Sequence, residues 1–143
     1  MTDDDAVRQA GRQNPALHHV ALVVADLDAA SAQYRTLGFG AGDRFLLAEQ
    51  AVEIVALKSG SGWIELIHPV DAEGPIARFM AKRGEGMHHV AYAVPDLESA
   101  LHDLEASGVR LIDRTPRIGA HGWRIAFIHP ESCGGVLTEL VQE

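Results

Sequence analysis

The chain nearly repeats itself. Residues 18–38 read HHVALVVADLDAASAQYRTLG and residues 88–108 read HHVAYAVPDLESALHDLEASG. At an offset of 70, identical residues stand at His18/His88, His19/His89, Val20/Val90, Ala21/Ala91, Val24/Val94, Asp26/Asp96, Leu27/Leu97, Ala30/Ala100 and Gly38/Gly108. A second match, GWIELI at 62–67 with VLTELV at 136–141, pairs Glu65 with Glu139 at an offset of 74, so the second half holds four extra residues inside it. Self-similarity of this kind reads as one supersecondary unit used twice. The expected organisation is a tail over 1–15 and one domain over 16–143, built of a module at 16–70, a linker helix at 74–84 and a second module at 86–143.

Both modules share a grammar. HVALVV is rich in aliphatic and β-branched residues and predicts a strand. Asp26 and Asp96 suit the N-caps of helices over 27–37 and 97–107, and Gly38 and Gly108 suit their ends. Leu97, Ala100, Leu101 and Leu104 recur at spacings of three and four, an apolar stripe on one helix face. Apolar runs broken by turn residues follow: RFLLA, VEIVAL and WIELI in the first half, VRLID, WRIAFI and GVLTELV in the second. Each half therefore predicts βαβββ. Between them Gly74-Pro75 opens a short helix that Gly84 ends.

Composition narrows the classes of function. With 143 residues, 47% hydrophobic and 22% charged, the chain has the size and apolar content of one domain. No apolar run approaches the ~18 residues that a membrane-spanning helix needs. The start, MTDDDAVRQAGRQNP, has neither a basic nor an apolar stretch, so no secretory leader is expected. A net charge of −8 argues against nucleic acid and anionic membranes as partners. The single cysteine, Cys133, points to a reducing, cytoplasmic setting.

Period-two alternation picks out the candidate site. On the first strand Val20, Leu22 and Val24 form the face expected under a helix, and His19, Ala21 and Val23 point the other way. The second module copies this with His89, Ala91 and Ala93, whose small neighbours suit a concave surface. Glu65 and Glu139 sit among large apolar residues on their strands, where an unpaired carboxylate is costly and wants a cation or a proton. One reading has a pseudo-twofold bring both His/Glu pairs to one cavity as a two-histidine, two-carboxylate set for a divalent transition metal. The other has histidines capping a sheet edge and solvated glutamates. The alternation sets His18 and His88 on the apolar face, in the core or behind the site. His102 reads as a solvated helix residue, His68 and His129 as turn residues before proline, and His121 as part of a loop that is either plainly flexible or near a substrate.

The paired HHVA segments resemble the vicinal-oxygen-chelate (glyoxalase/bleomycin-resistance/dioxygenase) superfamily. The stretches IELIHPVDAEGPIARF, KRGEGMHHVAYAV and HPESCGGVLTELV resemble its methylmalonyl-CoA epimerase family. The resemblance spans residues 17–141. It implies an α+β fold of two tandem βαβββ modules forming a curved mixed sheet around a metal-binding cleft. It also implies His19, Glu65, His89 and Glu139 as ligands of a divalent metal, with cobalt foremost and zinc, nickel or manganese as alternatives. The activity implied is inversion at the α-carbon of methylmalonyl-CoA through a metal-stabilised enolate, in a homodimer acting on an acyl-CoA. Epimerisation calls for a base on each face of the planar intermediate. Glu139 is expected to serve one. For the other, some family members carry a carboxylate on the third strand after a Glu-Gln-Gly-Val turn, whereas this chain reads EQAVEIV, with Glu53 one position early and Ile54 in the matching place. Either a bulge returns Glu53 to the cavity, or it is a surface glutamate.

Other functions fit parts of the pattern. A glyoxalase-I-like lactoylglutathione lyase uses the same four-ligand logic. Ring-cleaving dioxygenases commonly use two histidines and one carboxylate on iron. A drug-sequestering binding protein of the same fold needs no metal. The possible contacts to the polyanionic end of CoA are Arg78, Lys82, Arg83, Arg117 and Arg124.

Overall fold

The computed structural model describes residues 14–143. The first half forms β1 (Ala16–Val23), α1 (Leu27–Thr36), β2 (Asp43–Leu47), β3 (Val52–Ser59) and β4 (Gly62–Pro69). The linker forms α2 (Pro75–Arg83). The second half forms β5 (Gly86–Ala93), α3 (Leu97–Ala106), β6 (Arg117–Ile118), β7 (Arg124–Ile128) and β8 (Thr138–Gln142). The tail expected over 1–15 lies, for residues 1–13, outside the described residues. Among the described residues no helix is long and apolar enough to cross a membrane.

Among the described residues all eight strands join one curled sheet in the order β2-β3-β4-β1-β5-β8-β7-β6, the expected α+β architecture. At its centre β1 runs antiparallel to β5, and each pairs outward with a parallel strand, β1 with β4 and β5 with β8. The two halves are thus related by a pseudo-twofold passing near the Val20–Val90 pair.

The central ladder carries two irregularities at equivalent places. Leu17 pairs with Tyr92 but His19 with Ala91, so His18 is an extra residue in β1. Ala21 pairs with His89 but Leu22 with Met87, so His88 is an extra residue in β5. A bulge re-aims a side chain that strict alternation would send to the other face. The chain packs closely at the first of these. A Cβ on Gly62 would stand 2.9 Å from the His18 carbonyl oxygen, so only glycine fits there.

Helices α1 and α3 cover one face of the sheet, whereas α2 packs Ile76, Phe79 and Met80 against the inner face. Asp26 caps α1 by accepting from the Ala29 N–H (2.9 Å), and Asp96 caps α3 by accepting from the Ser99 N–H (3.1 Å). Helix α1 packs Leu27 and Ala30 on Val24, Val55, Leu57 and Leu66, and α3 packs Leu97 and Leu101 on Ala126, Ile128 and Leu140. The inner face carries Ala21, Val23, Val52, Ile54 and Ile67 from the first half, with Ala91, Ile125 and Val141 from the second. Trp123 packs against both inner groups and joins them.

One expected strand is nearly missing. The run VRLID contributes only a single bridge, Leu111 with Ile128, and β6 is two residues long. Pro116 and Gly119 flank β6 and keep it short, since proline removes a ladder donor and glycine weakens a strand.

Candidate functional site

Four strands at the middle of the sheet bring the four expected residues together. β1 and β5 deliver His19 and His89, and the parallel neighbours β4 and β8 deliver Glu65 and Glu139. The register sets Ala21 beside Glu65 and Ala91 beside Glu139, so the small inner-face residues lie between the polar ones. All four are buried, with exposures of 2% for His19, 5% for Glu65, 6% for His89 and 3% for Glu139.

The contacts are short. His19 Nε2 lies 2.8 Å from Glu65 Oε2 and 3.3 Å from Glu139 Oε1, and His89 Nε2 lies 3.3 Å from Glu139 Oε2. The two Nε2 atoms face each other at 3.2 Å. His19, His89 and Glu139 form a set whose donor atoms lie within 4.8 Å of one another, and Glu65 joins it through His19.

The electrostatics match a site built for a cation. Burial opposes a charge on His19, but hydrogen bonds with Glu139 and Glu65 and the pull of both carboxylates outweigh it and raise the imidazole to about 9. Burial also opposes a charge on Glu139. Electrostatic attraction to the His89 ring and hydrogen bonds from His19 and His89 reverse that, holding the carboxylate below its usual range. Two carboxylates and two imidazoles thus converge in a buried cluster. Imidazole nitrogens and carboxylate oxygens suit divalent transition metals. With ligand bonds of roughly 2.0–2.2 Å, donors at right angles sit about 3 Å apart. The donor spacings here are of that size, so the residues fit a divalent metal.

This cluster forms part of the wall of a cavity of about 450 Å³, otherwise lined mostly by apolar side chains such as Ile54, Ile67, Ile125 and Phe127. A second, more open groove of about 890 Å³ adjoins it and shares Pro75, His88, His89, Ile112 and Leu137. Arg78, Lys82 and Arg83 of α2 border this groove.

Two placements differ from the alternation pattern. His18 and His88 do not lie beneath helices. His18 is edge-on to Trp123 and His19, and His88 lines the cavity beside Phe79 and His89. The bulges turn them there. Burial, and then the neighbouring His89, lower His88 to about 4, so its ring is neutral.

The expectation that Glu53 is a catalytic base is corrected. Pairing of β3 with β2 and with β4 runs without a shift, so no bulge turns Glu53 inward. Its carboxylate accepts from Arg44 Nε at 2.7 Å, and Arg44 also holds Asp28 on α1, which places Glu53 on the helix side of the sheet. Ile54 faces the cavity in its place. The turn before β3 keeps a left-handed residue, Ala51 at φ +52°, and sets Glu49 on the cavity wall.

The other histidines are structural. His121 is neither in a loose loop nor on the cavity wall. It sits at φ +56°, packs against Phe45, Trp63 and Trp123, and pairs with Asp43 at 2.9 Å. His68 lies within β4 with its Nδ1 donating to the Val24 carbonyl, His129 accepts from the Glu131 N–H at the turn after β7, and His102 is exposed on α3. Trp123 and Phe127 line the cavity without having been singled out for it, and Glu49, the sequence's alternative to Glu53, lines it too. The apolar alternation of WRIAFI, which sets Trp123, Ile125 and Phe127 on one face, was the signal for both aromatic residues.

Comparison with known proteins agrees with this geometry. Residues 18–127 match the model of the Glyoxalase/Bleomycin resistance protein/Dioxygenase superfamily. The mitochondrial methylmalonyl-CoA epimerase of Bos taurus is 41% identical over 128 residues, covering 88% of this chain and 73% of that protein. The ethylmalonyl-CoA/methylmalonyl-CoA epimerase of Cereibacter sphaeroides is 40% identical over 129 residues, covering 88% and 96%. A solved methylmalonyl-CoA epimerase in complex with methylmalonyl-CoA and NH4+ superposes with a TM-score of 0.87 at 35% identity, covering 92% of this chain and 96% of that one.

Proposed function

The chain belongs to the glyoxalase/bleomycin resistance/dioxygenase superfamily and, within it, to the methylmalonyl-CoA epimerase family, and we propose that it interconverts the R and S forms of methylmalonyl-CoA. The observation that carries this reading is the meeting of one His and one Glu from each module at an apolar cavity that opens beside three cations.

His19, Glu65, His89 and Glu139 would hold a divalent metal, cobalt being the first to try and zinc, nickel and manganese its alternatives. When bound, such an ion polarises carbonyl oxygens as a Lewis acid and lowers the acidity barrier of an adjacent C–H. The α-proton of methylmalonyl-CoA stands between a thioester carbonyl and a carboxylate. Glu139 takes that proton on one face: the Cα–H bond breaks, its electron pair moves onto the thioester oxygen, and the carboxylate becomes a carboxyl. A second carboxyl then donates its proton to the opposite face. With Glu53 on the far side of the sheet, we assign this role to Glu49. Of the three carboxylates lining the cavity, it alone stands outside the histidine cluster. The apolar walls exclude water that would otherwise compete for the proton.

Arg78, Lys82 and Arg83 suit the phosphates of CoA. No ion pair engages them among the described residues. Arg117 and Arg124, by contrast, are held by Asp113 and Glu98. A cytoplasmic homodimer belongs to the same reading, and sedimentation of the purified protein tests its stoichiometry.

The decisive experiment follows α-proton exchange and inversion of methylmalonyl-CoA in heavy water, with and without added cobalt. Metal-dependent exchange with inversion is expected. Absence of both, with conversion of a glutathione hemithioacetal, would transfer the protein to the lyase branch of the superfamily.

A further inference from the structure

Each proposed histidine ligand has a second histidine at its back, and the arrangement recurs by the pseudo-twofold. His18 Nδ1 lies 2.7 Å from His19 Nδ1, and His88 Nδ1 lies 2.8 Å from His89 Nδ1. The ring pairs are nearly superimposable in geometry, with centroids 5.0 and 5.1 Å apart and interplanar angles of 76° and 78°. Both outer histidines are the extra residues of the central ladder. Without the bulges they would face the helices, and each ligand would lack this partner.

A contact between two imidazole nitrogens fixes proton positions, because one must donate and the other accept. A ligand that offers its Nε2 lone pair carries its proton on Nδ1. His19 and His89 are therefore the donors, and His18 and His88 accept at Nδ1. His18 then carries its own proton on Nε2, which lies 2.7 Å from Glu143 Oε1, and that carboxylate accepts it. In the first module the proton positions are thus set from a carboxylate inward. In the second, no acceptor meets His88 Nε2 among the described residues.

We propose that His18 and His88 are positioning residues that hold His19 and His89 in the tautomer with a free Nε2, and that Glu143 reinforces His18 alone. This makes two ligands of identical type unequal in basicity and rigidity. The proposal rests on the reading of the four-residue cluster as a metal centre.

The test is cobalt titration of the full chain, followed by the cobalt absorption bands, with thermal unfolding of the metal-free protein alongside. His18→Leu and His88→Leu, which keep bulk and remove the acceptor, are expected to weaken cobalt binding by about 10–100-fold, the usual effect of losing a partner behind a ligand. His18→Gln, whose amide oxygen accepts, should recover part of that loss. Glu143→Ala should weaken binding by a smaller factor in the parent and add nothing to His18→Leu, while its effect adds in full to that of His88→Leu. If His18→Leu does not fold, His18→Gln and Glu143→Ala carry the same test, since Glu143 is exposed. Parent-like cobalt affinity in His18→Leu and His88→Leu would overturn the proposal and leave the metal centre standing. A parent that binds neither cobalt nor zinc would overturn the metal centre itself.

Discussion

The two modules are alike where they meet and unlike where they end. Across the β1–β5 seam they share four residues in a row, a bulge at the same place and a histidine pair of nearly the same geometry. At the rims they part. Module one closes with β2, β3 and β4 of five, eight and eight residues, whereas module two has β6, β7 and β8 of two, five and five. A carboxylate stands behind His18 and none behind His88 among the described residues. The lesson is that a change at the seam must satisfy both halves at once, because each strand there packs on its own copy. A change at a rim disturbs one hairpin.

Several changes would break or sharpen that comparison. The largest effect is expected at the carboxylates. Glu139→Gln should lower turnover by on the order of 10²–10⁴, the range of general acid–base groups, while Glu65→Gln keeps a donor oxygen and should lose far less. Equal losses in steady-state assays would mean that the two glutamates do the same job.

The helix anchors come next. Leu27 and Leu97 occupy the same position and are 4% and 0% exposed, so Leu→Ala at either should cost about 2–5 kcal/mol in denaturant unfolding. A large difference between them would show that the repeat has diverged energetically beneath its conserved pattern.

In chelator-treated protein, His19 is raised to about 9. A raised histidine stabilises the fold fully below its unfolded value of about 6.5. That contribution should fade as pH climbs through 9, and melting temperatures should fall over this window in the parent but less in His19→Gln. The caps follow, Asp26→Ala and Asp96→Ala each costing about 1 kcal/mol. The smallest effect is expected for Glu53→Gln, whose turnover should equal that of the parent because the side chain lies on the helix side of the sheet. Loss of inversion with retained proton exchange in Glu49→Gln would sharpen the asymmetry from the other direction.

Much of this was legible in the chain itself. The 70-residue offset announced two units, and the caps Asp26 and Asp96 announced their helices. Alternation chose His19, Glu65, His89 and Glu139 because those strands are regular from the histidine inward, and a regular strand sends every second side chain to one face. The same rule misplaced His18 and His88. A bulge is a property of two paired strands, and no window of one strand contains its partner's register.

Glu53 shows the same limit from the opposite side, since its sequence position allowed a bulge and only unbroken pairing with both β2 and β4 excluded one. By itself the sequence determined the repeat, the helices, the strand faces and the chemical types available to the site, all set by local periodicity and capping. Tertiary structure alone decided which strands lie side by side, that VRLID meets β7 at a single bridge, that Trp123 bridges the two inner clusters, and that a glutamate distant in the chain meets His18. Those outcomes depend on hydrogen bonds and contacts between residues far apart in sequence, whose energies exist only once the two halves have closed on each other.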